Sequence, residues 1–145
     1  MGTVYSTQRT NSRATPVVMN KSNELGGRVR VAHGVYEASS LAADEVIEMF
    51  ILPDGALILH GQLAHDALGS STTLAVGHGA YKNADGTDVA LDADEFKAAA
   101  ASTSAQKVDV AATLALGSGI EVDADDDGYP VTVTLAGAAA TGTIE

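Results

Sequence analysis

The residues of this sequence that could do chemistry are four histidines and one run of aspartates. His33, His60, His65 and His78 carry imidazoles, which can bind zinc. No His-x-His or His-Glu-x-x-His pattern places two of them on one element, and no Cys exists to join them. His60 and His65 are five apart in or beside a strand, which sends them to opposite faces. Separate, hydrogen-bonded histidines are the better reading. Asp123, Asp125, Asp126 and Asp127, followed by Gly128, offer the hard oxygens that Ca²⁺ prefers. They lack the twelve-residue spacing and closing Glu of an EF-hand, and a solvated acidic turn explains them. Ser39-Ser40 and Ser70-Ser71 lack a nucleophile elbow, and Gly77-His78-Gly79 is too short to cradle a phosphate. No pair among the 19 acids is set apart by its surroundings. The expectation is therefore no catalytic residue, no metal, no cofactor and no enzyme.

The elements around these residues must then supply surfaces. The chain has 145 residues, which suits one domain with one core. Apolar types make up 46%, but much of that is Ala, with two Phe and no Trp, so the core should be thin. A thin core points to further burial in an oligomer or against a partner. The net charge is -11 and unevenly spread. Residues 1–30 hold Arg9, Arg13, Lys21, Arg28 and Arg30 against Glu24, a net of +4, which leaves -15 on the rest. Phosphate backbones and anionic membranes are poor partners for such a surface. No aromatic platform with basic neighbours suggests single-stranded nucleic acid, and no stretch of 18 apolar residues suggests a membrane span.

Read in order, residues 1–27 form an extended N-terminal arm and residues 28–145 a single β domain. Residues 28–36 alternate, with Val29, Val31 and Val35 on one face beside His33, and predict a strand. Residues 46–52 predict a strand apolar on nearly both faces. Pro53-Asp54-Gly55 makes a turn, and residues 56–65 return as the second half of a hairpin. Strict alternation puts Val46, Phe50 and Leu52 on one face. Further strands are expected over 72–76, 107–116 and 129–135, with turns at Asn83–Gly86 and Asp125–Gly128. Val131, Val133 and Leu135 should face in, and Thr132 and Thr134 out. The last strand, near 141–145, is expected at an edge or against a neighbour. Asp92 and Glu95 form a capping-box pattern, and Phe96 with Ala98–Ala101 continues it, predicting one short helix. Seven or eight short strands and one helix predict a mostly β fold, a sandwich or barrel of jelly-roll-like type.

Residues 46–79 also carry a resemblance. An apolar strand ends in Leu52-Pro53-Asp54-Gly55, a second strand follows, then Asp66-Ala67-Leu68-Gly69, then Thr73-Leu74-Ala75-Val76-Gly77. This resembles small virion proteins of tailed bacteriophages, the capsid decoration or cement proteins. The resemblance implies a structural protein on the capsid surface of the virion, which binds the major capsid protein, associates with itself as a dimer or trimer, and bridges capsomers. It carries over no catalytic residues. A tail, neck or head-fibre subunit could share the pattern. A carbohydrate-binding or adhesion module is a further alternative, weakened by the absence of Trp. Arg9, Arg13, Val17 and Val18 on the arm and Val46, Phe50 and Leu52 on the strand are the candidate interface residues.

Overall fold

In the computed structural model, which describes residues 6–20, 27–110 and 119–145, the chain divides into two units, residues 1–31 and 32–145. The described part of the first unit is not wholly extended. Helix α1 spans Thr7–Arg13. The Ser6 side chain caps it, accepting from the Arg9 N–H at 3.3 Å. Asn20 then ties the following loop back: the Asn11 amide donates to its Oδ1, and its own amide donates to the Gln8 carbonyl, both at 3.1 Å. These local bonds, invisible to hydrophobic patterning, replace the expected extended run over 7–13.

The second unit contains β1 (Tyr36–Leu41), β2 (Val46–Leu52), β3 (Leu57–Ile58), β4 (Gly61–His65), β5 (Thr73–His78) and β6 (Tyr81–Lys82). It continues with β7 (Asp88–Val89), β8 (Asp92–Ala101), β9 (Gln106–Val110), β10 (Ile120–Glu121), β11 (Tyr129–Ala136) and β12 (Ala140–Ile144). Two antiparallel four-stranded sheets dominate, ordered β1-β12-β4-β9 and β2-β11-β5-β8. Leu63, Val110, Ala140 and Ile144 from the first meet Ile47, Leu74, Val76, Val133 and Leu135 from the second in one core. The fold is a β-sandwich of mostly antiparallel strands and does not close as a barrel.

Four local expectations are corrected. Residues 92–101 are strand β8, not a helix. Alanine's helix preference is worth only tenths of a kcal/mol per residue, and Phe96 is the one large apolar side chain in the segment. As a strand it pairs with β5, and Phe96 still reaches the core. The Asp92 carboxylate accepts from the Asp94 N–H at 3.2 Å, a local turn rather than a helix cap.

The hairpin expected from 46–52 and 56–65 does not form. β2 pairs with β11, while β4 pairs with β9 and β12. The turn between them is a corner from one sheet to the other. Gly55 N–H donates to the Val122 carbonyl at 3.0 Å, Val122 N–H to Ala56 at 2.8 Å, and the Asp54 carboxylate accepts from the Ala124 N–H. Third, residues 27–35 form no strand, and β1 begins only at Tyr36. Fourth, β12 is interior, between β1 and β4, not at an edge. The expected strand over 107–116 is seen as Gln106–Val110, and residues 111–116 lie outside the described residues.

Gly55 holds φ +70°, and a Cβ there would meet nothing within 4 Å. Gly55→Val should therefore cost only the left-handed backbone penalty, about 1 kcal/mol, read as a lower denaturation midpoint with unchanged slope. An unchanged midpoint would mean that the corner adopts another geometry.

Candidate interaction surface

The fold scatters the histidines. His33 Nε2 lies 3.8 Å from a Glu145 oxygen, and His60 Nε2 lies 3.7 Å from Asp109. His65 and His78 are buried and bond through Nδ1 to the Asp66 and Gly79 carbonyls at 2.7 and 2.8 Å. Among the described residues no three His, Asp or Glu side chains gather as a metal site. The acidic turn spends its groups on its own geometry. Asp125 Oδ1 accepts from the Asp127 N–H at 3.0 Å, the Asp125 N–H reaches the Lys82 carbonyl at 2.8 Å, and Asp123 Oδ1 accepts from the Ala84 N–H. These bonds tie the turn to the β6–β7 hairpin.

Beside that hairpin the rings of His78, Tyr81, Phe96 and Tyr129 cluster, with Tyr81 and Tyr129 centroids 4.7 Å apart. Burial, then Tyr81, Glu95 and Asp92, push the Tyr129 phenol above its ordinary value of 10.0. Burial, then Asp123 and Glu95, raise Tyr81 in the same direction. A raised folded-state value means that the unfolded chain releases these protons first. The stability involved is intact below about pH 10 and declines as pH rises beyond it. Tm should thus fall above about pH 10 in step with tyrosinate absorbance, and Tyr129→Phe should flatten that fall. A Tm constant from about pH 9 to 11 would refute it.

The fold separates the candidate residues of β2. A bulge at Met49 breaks the β2–β11 register between Phe50↔Val131 and Glu48↔Thr132. One extra residue reverses the faces of everything beyond it. Phe50 and Leu52 therefore turn inward with Ile47 and pack, half-buried, against the core. Val46 and Ile51 stay outside, 43% and 54% exposed. Strict alternation misses Ile51, and only the bulge reveals it. On β11, Thr132 alternates with the core residues Val131 and Val133 and is nevertheless buried, and its Oγ1 and that of Thr134 lack hydrogen-bond partners.

Ile51 lines a shallow cleft of about 640 Å³ with Glu48, Pro130, Tyr81, Lys82 and Asp127. Lys82 lies 3.9 Å from Asp88 across the hairpin. In the first unit Arg9 and Arg13 are exposed on α1, and Val17, Val18 and Met19 are exposed after it. Val29, Val31 and Val35 are exposed too, where the alternation predicts an inward face. No described helix is long and apolar enough to cross a membrane.

No protein-family profile matches the sequence, and no curated protein matches it significantly. Among solved structures it is similar to a chain of the "Capsid of Ralstonia phage GP4", with 24% identity, 81% of this chain and 84% of that chain covered, and a TM-score of 0.54. At that identity, what this chain shares with the phage capsid chain is its fold.

Proposed function

We propose that this chain is a structural, non-catalytic virion protein that binds the outer surface of a phage capsid and bridges neighbouring capsomers. The observation that carries the reading is the fold shared over most of both chains with a protein of a phage capsid. The surface supports it. The chain offers a basic N-terminal segment, exposed valines and an acidic body, and two of its four histidines, His65 and His78, are buried and bonded to neighbouring carbonyls. Its partners are the major capsid protein and further copies of itself, as a dimer or trimer. Many copies on one shell turn a modest contact into firm reinforcement, because each bound site raises the effective concentration at the next.

In this reading Arg9, Arg13, Val17, Val18 and Val46 touch partners, while Phe50 and Leu52 chiefly hold the domain together. The test is co-sedimentation of the purified chain with expanded capsids, followed by imaging of decorated particles. Density at capsomer junctions is expected. Density confined to the tail vertex, or no binding, would refute the surface role. Deleting residues 1–20 should weaken capsid binding at least about tenfold while the body stays folded. Undiminished binding would remove that segment from the interface.

A further inference from the structure

We infer that residues 28–33 are a β-strand held ready for a second copy of this chain, and that they add to the outer edge of β8. The run Arg28-Val29-Arg30-Val31-Ala32-His33-Gly34-Val35 has strand periodicity and branched side chains. Yet among the described residues no backbone ladder joins it, and Val29, Val31 and Val35 are 85%, 89% and 58% exposed. A strand-forming sequence with bare valines and unpaired backbone groups is what an open sheet edge takes up.

Among the described residues the four-stranded sheets leave four outer edges: β1, β9, β2 and β8. β1 continues directly from the segment. β2 carries a single acid, Glu48, and Gly34 at the end of the segment already rests beside it, where a Cβ would lie 2.7 Å from the Met49 carbonyl oxygen, so residues 28–33 are the part left to pair elsewhere. β9 carries Lys107 and a single acid, Asp109. β8 remains. It is ten residues long, contains no Pro, and among the described residues pairs only with β5. One half is acidic, with Asp92, Asp94 and Glu95, the other is Ala98–Ala101, whose small side chains allow close approach, and Phe96 and Lys97 lie between them.

Charge selects the occupant and its direction. The segment carries two of the chain's eight cations, and most of the acids lie on the body. Parallel docking sets Arg28 beside Asp92 and Arg30 beside Asp94, with Val31 to His33 along Glu95, Phe96 and Lys97. Antiparallel docking would leave the arginines over alanine. Reciprocal exchange gives a dimer, and head-to-tail exchange closes into a ring such as a trimer.

The native chain has no Cys, so engineered thiols report the contact cleanly. Differently tagged Val29→Cys and Asp94→Cys copies, mixed and oxidised without capsids, should form a disulfide-linked pair. Val29→Cys mixed with Ala101→Cys should not. Light scattering of the full chain should show an oligomer, and V29D/V31D should weaken association at least about tenfold without changing the circular dichroism of the body. A monomer at all concentrations, an unchanged oligomer mass in V29D/V31D, or a crosslink only within one chain would overturn the inference. Preferential linkage to Ala101 would overturn its direction. Because no capsid is present, these results stand apart from those of the co-sedimentation test.

Discussion

Truncating Leu135 to Ala should destabilise the domain by about 2–5 kcal/mol and lower Tm by on the order of 10 °C. Leu135 is 0% exposed and sits on β11, flanked in its sheet by β2 and β5. It stands opposite Leu74, and its N–H donates to the Glu45 carbonyl at 3.0 Å. A strand paired on both sides cannot move inward to fill a lost isobutyl group. The core also has few large side chains to spare. The loss should therefore fall in the upper part of the range for cavity-forming substitutions. Chemical denaturation followed by circular dichroism measures it, with Val46→Ala on the surface as a control expected within about 0.5 kcal/mol. A loss below about 1 kcal/mol at Leu135 would show that the two sheets do not close over it.

Gly77→Ala should be the other severe substitution, at about 1–3 kcal/mol or more. Gly77 lies on β5 opposite Thr132 of β11. A Cβ there would overlap the Asp92 carbonyl and the backbone of Ala93. The reason is the irregular β5–β8 ladder, whose register shifts between Val76 and His78 and brings β8 backbone over the glycine. Backbone in a ladder cannot step aside as a side-chain tip can, so β8 must separate from β5 along part of its length. Hydrogen exchange of β8 amides should quicken along with the fall in midpoint. Gly79→Ala is the contrast, since its nearest obstacle is the Pro130 side chain at 3.1 Å, and it should cost less. Equal losses at the two positions would argue against the overlap.

Both substitutions probe features that sequence patterns reveal unevenly. β2 spans Val46–Leu52, matching the predicted strand, and Pro53-Asp54-Gly55 turns where its residue types require. β11 starts at Tyr129 and ends one residue beyond its predicted limit. These segments carry their own signals: runs of branched residues, and glycine or proline at their ends. The Met49 bulge has no such mark, so alternation placed Phe50 and Leu52 with Val46 when the fold sets them apart. The alanines of 98–101 misled in the other direction. Their helix preference is small, and the partner strand that outweighs it is some 20 residues upstream, where no local window can weigh it.

The candidate surface divides in the same way. The basic first segment and acidic remainder are legible by counting charges. That Val29 and Val31 are bare was not legible, because a strand pattern states that a segment can pair and not whether its partner lies in the same chain. The corner at Gly55, tied to Val122 and Ala124 rather than to a hairpin partner, is the same lesson within the body.

What the amino-acid order determined alone was local: strand periodicity, turn chemistry, the distribution of charge, and a core rich in small residues. Tertiary structure decided which strands became neighbours, where one extra residue turned side chains over, and which valines found cover. The physical reason is that period and propensity act between adjacent residues, whereas backbone hydrogen bonds and burial in a sandwich are satisfied by strands far apart in the chain.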